Sequence, residues 1–269
     1  MEIIKSKDNQ ILKYIRKLKN KKTRLENGEF LIEGIRFIEE ALISNADIKY
    51  CICSHELKGD RAEILIKNLK DKGITVYAAE DKLMKDICDT ETPQGIAAVV
   101  KQKHYDEDLL FLNSNYTIVA DRIQDPGNMG TIIRTADAAG ADLIVLSNGS
   151  VDPYSPKVLR STMGSIFHIP IILSNDINGA AERMKKSGFL IYATSLDAKS
   201  FYYDENYRGK TAVIIGNEAN GVEAVLLNKA DKLIKIPMPG RAESLNASVS
   251  AGIVMFEIAR QRMDIDKNG

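Results

Sequence analysis

Ser244, Asn246 and Ser248 set three short hydrogen-bonding side chains between the loop Pro237-Met238-Pro239-Gly240 and the apolar run Val249 to Met263. A helix that needed only a cap would use one such residue. Three of them, beside Arg241 and Glu243, describe a surface that holds a polar ligand, because unpaired helix N–H groups converge at the same place. A second group, Gly216-Asn217-Glu218-Ala219-Asn220-Gly221-Val222, follows the apolar stretch Ala212 to Ile215. Its two glycines let backbone approach a ligand closely. Glu218, at the end of a buried strand, needs a partner or a role. A third group runs from Asp121 to Gly130, with Arg134 on the helix that follows. Asp125-Pro126-Gly127 is a turn signal, and Asn128 is expected to cap a helix starting at Met129. For Arg134 the plain alternative is an ordinary surface arginine. Thr194-Ser195-Leu196-Asp197-Ala198 reads as a less distinctive turn.

The elements that must carry these groups alternate between strand and helix. The N-terminal part reads as a basic helix near Asp8 to Lys19, a helix Ile35 to Ser44, a strand Ile48 to Ser54, a helix Ala62 to Lys72, a strand Ile74 to Ala78 and a strand Gly95 to Val100. Residues 1–100 thus form one α/β domain. Lys101 to Asn115 turns polar and acidic and is the expected linker. Residues 116–269 form the second domain, with strands Thr117 to Ala120, Leu143 to Ser147, Phe189 to Thr194, Ala212 to Gly216 and Leu233 to Ile236. Helices are expected at Thr131 to Ala139, Pro156 to Ile166, Ile177 to Ser187 and Val222 to Asn228. Such alternation calls for a largely parallel sheet covered on both faces, with ligands at the carboxyl ends of its strands. Arg208-Gly209-Lys210-Thr211 is not a phosphate loop, since Asp204 stands where its first glycine belongs and a strand follows. No G-x-G-x-x-G follows a strand, so a nucleotide-like ligand must be held differently.

With 269 residues, 44% of them hydrophobic, the chain has enough apolar side chain for a sizeable core. Lys+Arg and Asp+Glu both count 37, so net charge gives no hint of a polyanionic partner. Its distribution does: Lys13 to Arg24 holds seven basic residues and no acidic one, suited either to phosphates or to a solvated helix face. Three irregularly spaced cysteines, without an apolar leader or a membrane-length run, point to a reduced cytoplasm and no membrane. Cys51, Cys53 and His55 alternate along one strand and would share a face. They lack paired zinc spacing, so small buried residues are expected and no metal.

Three motifs, in order, resemble the SpoU (TrmH-like) RNA 2′-O-ribose methyltransferases of the SPOUT superfamily. They are Asn128-x-Gly130-x-x-x-Arg134-x-Ala136-x-x-x-Gly140, then Gly216-Asn217-Glu218-x-x-Gly221-Val222, then Ile236-Pro237-Met238 leading to Glu243-Ser244-Leu245-Asn246-Ala247-Ser248-Val249. Phe30-Leu31-Ile32-Glu33-Gly34-Ile35-Arg36 and Thr92-Pro93-Gln94-Gly95-Ile96-Ala97 are similar to the opening and closing segments of that family's L30e-like substrate-binding domain. Lys157 to Ser165 is similar to the rRNA-directed branch.

The resemblance implies an α/β fold whose C-terminal domain carries a deep trefoil knot, against the general rule that chains avoid knots. It implies S-adenosyl-L-methionine held among Thr194, Ser195, Leu196, Gly216, Asn217, Glu218, Gly221, Ile236, Pro237, Met238, Leu245, Asn246 and Ser248. Arg134, Asn128, Glu218, Ser244 and Asn246 are the implied catalytic set. A homodimer would bring Arg134 of one subunit near the cofactor of the other. The implied reaction is methyl transfer to a ribose 2′-OH, preferentially in rRNA. tRNA, a base nitrogen or an inactive RNA-binding protein are the alternatives. RNA contacts are expected at Lys13, Arg16, Lys17, Lys21, Lys22, Arg24, Arg36, Arg122 and Arg160.

Overall fold

The computed structural model describes residues 3–266, with side chains to Met263. The first two and last three residues of the expected domains lie outside the described residues. Contacts divide the chain into two units, the first ending at His104 but also taking Tyr154–Phe167, the second comprising Tyr105–Pro153 and the chain from His168 onward.

In chain order the first unit contains β1 (Ile3–Ile4), α1 (Gln10–Lys17), α2 (Lys21–Asn27), β2 (Glu29–Glu33), α3 (Ile35–Ile43), β3 (Ile48–Ser54), α4 (Asp60–Asp71), β4 (Val76–Ala79), α5 (Asp81–Ile87) and β5 (Ile96–Lys101). The basic helix expected near Asp8 to Lys19 is α1, and a second short helix, α2, follows it. Asn9 caps α1 and Asn20 caps α2, their side chains accepting from Ile11 N at 2.9 Å and Lys22 N at 2.8 Å. An asparagine that offers its oxygen to the next turn starts a new helix there instead of continuing the old one. The sheet order is β1-β4-β3-β5-β2. β1, β4 and β3 run parallel, and β5 pairs antiparallel with both β3 and β2. Leu12, Ile15, Leu83 and Met84 pack with Ile52, Ala97 and Val99 on one face. Cys51 and Cys53 are buried, and their thiols lie 3.2 Å and 3.6 Å from the carbonyls of Ala97 and Tyr77. His55 Nδ1 lies 3.2 Å from the Ala79 carbonyl. The trio is thus engaged with backbone, and no group among the described residues has a metal-holding arrangement.

The boundary between the two units, after His104, falls inside the expected linker. Lys101 closes β5, Gln102 N donates to Gly28 O at 2.7 Å, and α6 (Glu107–Asn113) buries Phe111 in the core of the second unit. Its polar composition reflects one solvated helix face rather than a chain without contacts.

The chain continues through β6 (Tyr116–Ala120), α7 (Pro126–Ala138), β7 (Leu143–Ser147), α8 (Pro156–Thr162), β8 (Ile171–Ser174), α9 (Ile177–Lys186), β9 (Leu190–Thr194), β10 (Ser200–Phe201), β11 (Thr211–Ile215), α10 (Ala224–Lys229), β12 (Lys232–Lys235) and α11 (Ala247–Asp266). Of these α8 belongs to the first unit, where Tyr154 and Phe167 both pack on Phe30. The second sheet is parallel throughout, in the order β10-β12-β9-β11-β6-β7-β8. Val119, Val145, Ile191, Ala212 and Ile214 meet side chains of α6, α9 and α10 on one face. On the other, the Tyr116 hydroxyl reaches Met255 O of α11, which packs along α7. Both faces are covered, as a parallel sheet requires. Strand order reverses between β6 and β11, and a crevice at such a reversal is where open α/β sheets place ligands.

Candidate active site

The loops after β9, β11 and β12 converge on a cavity of about 410 Å³ at the carboxyl ends of those strands. This lies within the range of about 300–1,000 Å³ usual for small-molecule sites. Of the expected cofactor residues, Thr194, Ser195, Leu196, Gly216, Asn217, Glu218, Gly221, Ile236, Met238 and Leu245 line it, as does Ser244. Asp197, Ala219, Val222 and Ala247, which stand within the same sequence stretches but were not expected to touch the cofactor, also contribute, as does Ser250. Pro237 lies between two lining residues without lining the cavity itself.

The wall formed by residues 216–222 is a tight crossing of the chain over itself. A Cβ on Gly216 would lie 2.2 Å from both Gly221 C and Val222 N, so any other residue would push the turn apart. Here the glycine makes room for the loop's own backbone, not for a ligand as the sequence suggested. Asn217 and Gly221 exchange backbone hydrogen bonds at 3.0 Å each. The Asn217 side chain accepts from Ala219 N and Asn220 N at 2.9 and 3.1 Å. Gly221 has φ +65°, which glycine adopts without strain.

Asn128 joins the three motifs. Its Nδ2 donates to Glu218 Oε1 at 2.8 Å. Its Oδ1 accepts from Asn246 Nδ2 at 2.9 Å and from Ser248 Oγ at 3.3 Å. With a carboxylate on one side and an amide donor on the other, the orientation of the Asn128 amide is dictated by its partners. Asn128 does not start the helix: Asp125 is the cap, accepting from Asn128 N at 2.8 Å, and Pro126 occupies the first turn. Proline there lacks an N–H that would have no helical partner anyway. Asn246 takes the capping role at α11, its Oδ1 accepting from Ser248 N at 2.9 Å. The three polar residues before that helix are thereby distinguished. Asn246 caps, Ser248 reaches Asn128, and Ser244 faces the cavity as an exposed residue.

Arg134 lies on the exposed side of α7, and its side chain makes no hydrogen bond or ion pair among the described residues. Asn128 and Glu218 bond to each other and not to the Arg134 of the same chain. α11 packs beside it, with Gly252 close enough to Thr135 that a Cβ would come within 3.7 Å of Thr135 Cγ2.

The expected RNA-binding residues fall into three groups: those engaged within the chain, those exposed, and those lining a cavity. Arg24 is 4% exposed and donates to the carbonyls of Leu18 and Lys19 at 2.7 and 2.8 Å, so it stabilises the turn between α1 and α2 and cannot reach RNA. Arg122 forks onto Asp121, which raises the pKa of the guanidinium further, and Arg16 donates to Asp86 at 2.7 Å. Lys13 pairs with Asp8 and Lys22 with Glu26. Lys17 and Lys21 are exposed. Arg36 and Arg160 instead line the larger cavity of about 700 Å³ in the first unit, with Phe37, Leu159, Met163 and Gln94. Arg160 also pairs with Asp89 at 3.0 Å.

The model of the SpoU rRNA Methylase family matches residues 115–256, and that of an MRM3-like substrate binding domain matches residues 9–98. The chain belongs to the SpoU methylase family. Among curated relatives of this SpoU methylase, the 23S rRNA (guanosine(2553)-2′-O)-methyltransferase RlmP of Bacillus subtilis is 38% identical, covering 96% of this chain and 99% of the relative. The AdoMet-bound rRNA methyltransferase from Sinorhizobium meliloti superposes with a TM-score of 0.85 at 34% identity, covering 96% of this chain and 97% of that one. The SpoU methyltransferase AviRb from Streptomyces viridochromogenes, in complex with AdoMet, gives a TM-score of 0.86 at 27% identity, covering 95% and 98%. The N-terminal part of the SpoU chain is therefore a substrate-binding domain and the C-terminal part a methyltransferase domain.

Proposed function

We propose that this protein transfers a methyl group from S-adenosyl-L-methionine to a ribose 2′-hydroxyl of rRNA. The observation that carries the reading is the convergence of the three post-strand loops on one cavity, with Asn128 binding Glu218 and Asn246 at its edge. The cofactor, when bound, supplies an electrophilic methyl group. Thr194 to Leu196, Gly216 to Gly221, Ile236, Met238 and Leu245 would hold it, with a deep trefoil knot as the topology that presents these loops together. AdoMet bound to two solved relatives supports the cofactor assignment.

A homodimer supplies the remaining group. Val249, Phe256 and Met263 are 50%, 51% and 56% exposed and recur every seven residues along α11, an apolar stripe suited to a second copy. Arg134, adjoining that helix and without a side-chain partner among the described residues, would then act at the cavity of the other subunit. A guanidinium is a poor proton acceptor. Arg134 therefore grips the phosphate next to the target ribose and stabilises negative charge developing on the 2′-oxygen, whose proton passes to that phosphate or to water. Arg36 and Arg160 are the RNA contacts of the first unit. The reduced, buried cysteines fit a cytoplasmic setting, and no helix among the described residues is long and apolar enough to cross a membrane.

The preference for rRNA rests on the full-length similarity to rRNA enzymes. Labelled methyl transfer to purified rRNA, tRNA and ribosomal subunits from cells lacking this gene separates the substrates. Label in rRNA or in subunits is expected, with the nucleotide corresponding to the Bacillus subtilis guanosine mapped first. Label in tRNA alone contradicts the preference.

A further inference from the structure

We propose that Asp121 is a positioning residue that fixes the cofactor loop 216–223, acting through Arg122 and through the amide of Glu223. Asp121 follows β6 directly and is 0% exposed. A carboxylate at that depth is tolerable only when its oxygens are fully engaged. Oδ1 accepts from Ser147 Oγ at 2.9 Å and from Arg122 Nε at 3.1 Å. Oδ2 accepts from Glu223 N and from Arg122 Nη2, each at 2.9 Å. Its backbone N donates to Ile215 O at 2.8 Å. One residue thereby ties together the ends of β6, β7 and β11, the last of which leads into the cavity loop.

Arg122 extends the hold into the loop. Its backbone has φ +52°, a left-handed conformation that a residue with a Cβ adopts only when its surroundings impose it. That conformation accompanies a fork from the guanidinium back onto the preceding carboxylate. Arg122 N donates to Ser147 Oγ at 2.8 Å, and Arg122 O accepts from Asn217 Nδ2 at 2.8 Å. Arg122 Nη2 reaches Gly221 O at 3.3 Å. Both ends of the turn, and the side chain of Asn217 that shapes its middle, therefore lead back to the Asp121–Arg122 pair. Neither member of the pair lines the cavity, whereas the residues they hold do. Arg122 is on this account part of the scaffold of the pocket and not a ligand for RNA.

The inference rests on the proposed function only where cofactor affinity is the readout, so the test uses two readouts on the full-length protein. Calorimetric S-adenosylmethionine binding and hydrogen exchange of the peptide covering 216–223 are compared for wild type, Asp121→Asn, Arg122→Gln and the double variant. Each single variant should weaken cofactor binding about tenfold, the scale of one lost charged hydrogen bond, and speed exchange of the loop amides. The double variant should be no worse than Asp121→Asn alone, and RNA affinity should not change. Unchanged loop exchange and cofactor affinity in folded Arg122→Gln overturn the proposal, as does a loss of RNA affinity with cofactor binding intact. Arg122→Gln carries the test if Asp121→Asn fails to fold. If wild type binds no cofactor but the loop exchanges faster in the variants, the cofactor reading fails and the positioning role stands.

Discussion

Arg134 has no side-chain partner among the described residues: it is exposed, cationic, and flanked by a helix carrying an apolar stripe. If charge and position are its contribution, Arg134→Lys retains the charge but loses the planar two-point grip on phosphate. Measurable methyl transfer should survive in Arg134→Lys at a rate reduced by roughly tenfold to a hundredfold, and almost none in Arg134→Ala, as expected when one charge-stabilising donor is weakened or removed. Equal and complete loss in single-turnover rates of both variants would count against charge as the operative property. The residues that meet at the cavity were legible in the sequence because each belongs to a short motif with turn chemistry around it. Asp121 and Ser147 were not. Each is a single polar residue at the end of an apolar strand, and only the pairing of β6 with β7 shows that the two side chains meet.

Among the elements, α6 separates composition from packing. Its segment reads as a linker because five of its first eight residues, from Lys101 to Asp108, are charged, whereas Phe111 is fully buried against the second sheet. Phe111→Ala should cost about 3–5 kcal/mol in urea unfolding of the second unit, the usual penalty for deleting a buried aromatic ring, where a true linker position would cost nothing measurable. The strands most clearly visible in the sequence were those with unbroken apolar runs, such as Leu143–Ser147 and Thr211–Ile215. β2, β8 and α5 escaped because they are short, and Ile171–Ser174 offers only four residues between proline and asparagine. α8 was expected to continue to Ile166 and stops at Thr162, where Met163 turns left-handed at φ +52° and Gly164 at φ +103° packs on Glu40. The cysteines give a chemical check on the first sheet. Burial raises the thiol pKa of Cys51 and Cys53, and that of Cys88 to about 12, so thiolate is scarce at pH 8. Native protein should resist alkylation at that pH and react at all three positions only in denaturant. Rapid labelling of the native chain would contradict the packing of β3 and α5.

For the whole molecule, the proposed function makes one site draw on two copies of the chain. Arg134→Ala and Glu218→Ala should each be inactive alone, because one lacks the arginine that it lends and the other a residue of its own cavity. Mixed after dissociation, they should regain roughly a quarter of wild-type activity, since random reassortment leaves half the dimers mixed with one intact site in each. No recovery, with mixed dimers demonstrated by mass spectrometry, would place Arg134 at the cavity of its own subunit. The central claim is tested most directly by supplying labelled S-adenosylmethionine and RNA from cells lacking this gene, then digesting the RNA and separating its nucleosides. Label is predicted in a 2′-O-methyl nucleoside with wild type and absent with Arg134→Ala. Label on a base, or in the same 2′-O-methyl nucleoside at an undiminished rate with Arg134→Ala, would contradict it.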